Sequence, residues 1–132
     1  MGAQRRGMKL EFLERGSPDC PLIRLYEFAA KESYNLRRIA LQLARGREQT
    51  VLFHEQPGVI SIGSCRLTLH QGEEDRGVSE FGARNFKWVL SKVGWFQVAG
   101  LIRPFSKGAT VGFQWLSERG KARILIPSDG RW

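Results

Sequence analysis

The sequence has little of what most reaction chemistries require. Only two cysteines (Cys20, Cys65) and two histidines (His54, His70) occur in 132 residues. Two thiols cannot build a disulfide scaffold, and in a reducing compartment they stay as thiols. Cys65 ends a largely apolar run that starts at Ile60, so a buried, inert thiol is expected there. No CxxC or HxxxH pair exists, so a zinc site would need all four candidate ligands to converge through tertiary folding alone. His54 and Glu55 open like a zincin motif, but Pro57 breaks the helix and no second histidine follows at the needed spacing. Neither the Rossmann glycine fingerprint nor a Walker A loop is present. Residues 107–110 hold suitable residue types in the wrong order and read as a plain loop. The GxSxG elbow is not matched around Ser61 and Ser64. No cofactor and no metal are therefore expected. Catalysis would have to rest on Cys65 with His54 or His70.

Long apolar runs are missing too. Nothing approaches the roughly 18–20 residues of a membrane-spanning helix. Arg5 and Arg6 lead into residues 8–12, which alternate rather than form an apolar segment, so no secretion signal is expected. A cytoplasmic protein with no membrane partner follows as the expectation.

What is present suffices for one core. Apolar residues make up 42% of the chain and aromatics 11%, too many for a disordered segment. Residues 1–7 read as a flexible basic tail, and 8–132 as a single domain. Strands are expected near 9–14, 22–28, 50–53, 86–90, 111–116 and 122–126, with one bulged strand or two short ones over 59–69. Residues 31–45 carry the clearest helix. Leu36, Ile39, Ala40 and Leu43 recur at i, i+3, i+4 and i+7, and Gly46 suits the left-handed end. A second, shorter helix is expected from Trp95, Val98, Ala99 and Ile102, stopping at about Arg103 because Pro104 follows. These elements predict an α+β domain in two layers, a mostly antiparallel sheet with two helices on one face. A strand–helix–strand–strand order occurs twice along it.

Charge is the other asymmetry. The net charge is +8, and residues 81–132 hold nine cations against Glu118 and Asp129. The same segment contains all four tryptophans, Trp88, Trp95, Trp115 and Trp132. Phe86 with Trp88, and Phe113 with Trp115, share strand faces and are expected in the core. Lys87 and Arg123 then point outward, and Lys121 precedes the last strand. A small binding domain without catalytic machinery is the first reading, its partner a second copy docking through an exposed sheet face or edge. The alternative is single-stranded nucleic acid or another polyanion, or an acidic protein surface, held by Lys87, Arg119, Lys121 and Arg123.

Overall fold

A computed structural model describes residues 7–15, 18, 20–106 and 112–127. Its elements run β1 (Met8–Leu13), β2 (Leu22–Tyr26), α1 (Ala30–Ala44), β3 (Thr50–Leu52), β4 (Val59–Ser61), β5 (Arg66–Gln71), β6 (Gly77–Glu80), β7 (Asn85–Leu90), α2 (Lys92–Ser106), β8 (Phe113–Ser117) and β9 (Arg123–Pro127). The α+β class is as expected. A single sheet is not what forms, although antiparallel pairings are in the majority. Sheet A has the order β4-β1-β2-β9-β8 and sheet B the order β3-β5-β7-β6. Both are mixed, since β1/β4, β2/β9 and β5/β7 pair in parallel while β1/β2, β8/β9, β3/β5 and β6/β7 pair antiparallel.

The split arises in the segment 59–71. Gly63 (φ 61°) and Ser64 (φ 60°) both take left-handed backbone and turn the chain from β4 in sheet A to β5 in sheet B. The guanidinium of Arg84 donates to the Gly63 carbonyl at 3.1 Å and braces this turn. The strand–helix–strand–strand order does occur twice, as β2-α1-β3-β4 and β7-α2-β8-β9. The first set sends only β3 to sheet B and the second only β7, so order recurs without a spatial repeat.

Period-two burial sets the two inner faces together. Met8, Leu10, Ile23, Leu25, Ile124 and Ile126 come from sheet A; Leu67, Leu69, Phe86 and Trp88 come from sheet B. The Phe12 and Phe86 rings meet across the layers at 4.7 Å. Leu36, Ile39, Ala40 and Leu43 are buried on α1, and Trp95, Val98, Ala99 and Ile102 on α2, each as the spacing predicts. Trp88 and Trp95 lie 4.8 Å apart at the centre, and the Trp95 indole N–H donates to the His70 carbonyl at 3.1 Å.

Two expectations are corrected. The second helix does not stop before Pro104 but continues to Ser106. A proline removes the bond to the carbonyl four residues back and crowds that carbonyl; here it belongs to Gly100, which is exposed, with no other group near it. Burial of Phe105 against Phe28, ring to ring at 6.1 Å, holds the final turn. Nor are Phe113 and Trp115 core residues. On β8 it is Leu116 that is buried, whereas Phe113 is 49% exposed and Trp115 half-buried. Register places Trp115 beside Leu125, and Leu125 beside Arg24, on the outer face of sheet A.

The sheets are clipped at one edge. The Val78 N–H of β6 donates to the Arg119 carbonyl at 3.1 Å, and the Lys121 N–H donates to the Val78 carbonyl at 2.6 Å. Gly120 (φ 95°) makes this approach possible, since a Cβ there would sit 2.1 Å from the Val78 oxygen. Of the segment read as a tail, residues 1–6 lie outside the described residues, as does the loop 107–110. Gly7 is buried and packs against the Gly58 carbonyl. No helix among the described residues is long and apolar enough to cross a membrane.

Candidate functional site

The four cations singled out in the sequence fall on three surfaces. Lys87 lies on the outer face of sheet B, in register with Thr68 and Ser79. Arg123 lies on the outer face of sheet A, its guanidinium 4.7 Å from the Trp115 ring centre. Arg119 and Lys121 flank Gly120 in the β8–β9 turn. Arg119 reaches the Asp75 carbonyl at 3.4 Å. Lys121 borders a cleft of about 550 Å³ with Phe12, Arg15 and Arg84, but Glu14 and Glu80 line the same cleft. Carboxylates are interleaved with cations throughout this edge, so its field is weak.

Aromatics and cations do meet on sheet A, in a closed arrangement. The Arg24 guanidinium stacks 3.9 Å above the Tyr26 ring and pairs with Glu11 at 3.0 Å. The Tyr26 hydroxyl donates to the same Glu11 oxygen at 2.9 Å. Burial, then this bond to a carboxylate, raises the Tyr26 pKa above its usual value. Ring, cation and carboxylate satisfy one another, which is the arrangement of a structural network.

The helix pair is different. On α1 the buried stripe leaves Lys31, Tyr34 and Arg38 on the opposite, exposed face, and Arg45, which caps the helix, is exposed in line with them. On α2 the same logic exposes Lys92, Val93, Phe96, Leu101 and Arg103. The helices run antiparallel. A Cβ built on Gly46, just past α1, would lie 3.3 Å from the Lys92 side chain, and Phe28, just before α1, meets Phe105 at the far end of α2. Residues 30–45 and 92–106 together carry six cations (Lys31, Arg37, Arg38, Arg45, Lys92, Arg103) against one carboxylate, Glu32. That carboxylate accepts the Ala29 N–H at 2.9 Å and caps its own helix.

Ion pairs among the described residues join Lys9 to Glu27 and Arg24 to Glu11, and His54 to Glu55 when its ring is protonated; they use none of these helix cations. The buried Nε of Arg37 has no hydrogen-bond partner. Acid borders both sides: Arg38 and Gln42 share a cleft of about 410 Å³ with Glu48 and Glu55, and on the α2 side Gln97 and Leu101 line one with Asp75 and Glu118. Tyr34 and Phe96 stand 55% and 61% exposed within this basic surface. Sequence reasoning missed it because the charge was summed by halves of the chain; a helical projection of residues 31–45 would have shown Lys31, Tyr34, Arg38 and Arg45 on one stripe.

The nucleophile and metal candidates do not assemble. Cys65 is fully buried, and loss of solvent pushes its thiol up to about 11, leaving it protonated at neutral pH. His54 Nδ1 accepts the Leu67 N–H at 3.1 Å. His70 Nδ1 bonds the Thr50 hydroxyl at 2.8 Å, and burial, with Lys87 nearby, lowers its pKa. Among the described residues no three His, Cys, Asp or Glu side chains converge on a point that would hold a metal. No protein-family model, curated protein or solved structure matches the chain, so its functional reading stands on this geometry.

Proposed function

We propose that the chain is a nucleic-acid-binding domain that holds its ligand on the α1–α2 face. The observation that carries this reading is a same-sign surface: five exposed cations drawn from two helices, joined to no carboxylate by the described ion pairs, with two bare aromatic rings among them. Like charges about 10 Å apart repel by about 0.4 kcal/mol per pair in water. A phosphate chain relieves that repulsion and releases its own counterions. Self-pairing through this face is disfavoured, because a second copy would bring Lys92 and Arg103 against the same cations. Lys87, Arg119, Lys121 and Arg123 contribute little, being spread over three surfaces, with acid beside Lys121.

Titration of a fluorescent 20-nucleotide single strand across a salt series tests the proposal. About five phosphate contacts predict a log–log slope near −3.5 and a roughly hundredfold loss of affinity between 50 and 200 mM salt. Arg38→Ala with Arg45→Ala should flatten the slope by about 1.4, whereas Lys87→Ala with Lys121→Ala should leave it unchanged. Absence of binding at 50 mM salt, or equal loss from both double variants, defeats the reading.

A further inference from the structure

Granted that reading of the helix face, we infer that its ligand is single-stranded, with bases stacking on Tyr34 and Phe96. Two helices side by side, each about 10 Å across, make a ridge of roughly 20 Å. The major groove of a duplex, about 12 Å wide, admits one helix and not two abreast. A duplex can therefore meet this face only through its outer phosphates, and its bases stay hidden from the rings.

A single strand uses the whole surface. Lys31, Arg38 and Arg45 recur every seven residues along α1, a rise of about 10 Å per step and about 21 Å in all. Lys92 and Arg103 supply the cations of the α2 side. The end contacts, Gly46 with Lys92 and Phe28 with Phe105, set the antiparallel register. By that register Tyr34 stands level with residues 101–102 and Phe96 with residues 39–40. The two rings are thus offset by about 8 Å along the helix axes, within the span of two or three successive nucleotides. Phosphates would follow the cations while bases turn onto the rings, the combination by which single strands are held without sequence preference. Tyr34 and Phe96 lie outside the core, two rings held in solvent on the outer faces of the helices together with Val93 and Leu101.

The test compares the wild type with Tyr34→Ala/Phe96→Ala against three probes: a single strand, the duplex of the same sequence, and heparin, a polyanion without bases. The wild type should bind the single strand at least tenfold more tightly than the duplex. The ring variant should lose at least tenfold for the single strand, keep its salt slope, and bind heparin and duplex as before. Tyr34→Phe, which keeps the ring, should bind as the wild type does. Circular dichroism and thermal unfolding should be unchanged, as both side chains lie outside the core. Equal affinity for duplex and single strand, or a ring variant that binds the single strand normally while Arg38→Ala/Arg45→Ala weakens it, overturns the single-strand inference and leaves the nucleic-acid reading standing. A wild type that binds none of the three overturns both.

Discussion

Two surfaces of this molecule combine arginine with aromatic rings, and they do opposite things with the same materials. On sheet A, Arg24 lies on Tyr26 and is neutralised by Glu11, and Arg123 lies on Trp115. On the helix pair the rings of Tyr34 and Phe96 stand in solvent, and the cations around them join no described ion pair. Composition cannot tell these surfaces apart. Pairing can: a cation that already has its ring and its carboxylate contributes to the fold, while one without them gains most from an outside anion.

Three substitutions of aromatic residues should separate the two most sharply. Trp88→Ala, in the centre of the core, is expected to cost about 3–5 kcal/mol. Trp115→Ala, half-buried under Arg123, should cost about 1–2 kcal/mol, and Phe96→Ala less than about 0.5 kcal/mol. Urea unfolding measures all three. Equal losses at Trp88 and Trp115 would return Trp115 to the core and erase the distinction drawn here.

The next effect concerns charge. Glu11→Ala leaves Arg24 and the Tyr26 hydroxyl without their shared acceptor and should cost about 1–2 kcal/mol. A double-mutant cycle of Glu11→Ala with Arg24→Ala should show coupling of about 1 kcal/mol. Arg38→Ala with Arg45→Ala should instead leave stability within about 0.5 kcal/mol, or raise it slightly in low salt, because repulsion is removed. If the helix double variant is as destabilised as the sheet variant, those arginines are structural and the contrast fails.

The smallest expected effect is at low pH. The Ser91 backbone N–H and hydroxyl both donate to Asp75, at 2.9 and 2.8 Å, and hold its carboxyl below the usual value. A depressed folded-state pKa contributes stability that is complete above the unfolded value, about 4, and is lost as pH falls through the lower folded value. Asp75 is largely exposed, so the contribution should be only a few tenths of a kcal/mol. Replacing it in Asp75→Asn should flatten that part of the stability-against-pH curve, and an unchanged acid limb would show that the bonds to Ser91 carry no net energy.

The sequence was most legible where one periodicity met one boundary. The helix expected over 31–45 spans Ala30–Ala44, with the expected residues buried. The alternation of Phe86, Trp88 and Leu90 likewise identified an inward face. It was least legible where a pattern allows two outcomes. Alternation over 113–117 separates Phe113 and Trp115 from Leu116 but does not say which set faces inward, and the choice went to the smaller side chain because register carries Trp115 onto the outer face. Segment 59–71 shows strand character throughout, yet nothing local states that its halves join different sheets. Strand β6 was not anticipated at all. It is short, begins at Gly77, and is held by pairing with β7 and by the β8–β9 turn.

The candidate site was hidden for a related reason. Residues 31–45 and 92–103 are far apart in the chain, and α1 lies in a half whose acids nearly cancel its cations when charge is summed over that half. Charges act through space over a screening length of about 10 Å, not along the backbone. What the amino acids alone determined was which side chains leave water: the stripe on α1, the alternation on β7, the cysteine too deep to ionise. Only the packed molecule decided which of the remaining charges become neighbours, because the antiparallel seating of two distant helices gathers their cations onto a single face, while the sheets turn Lys87 and Arg123 to separate ones.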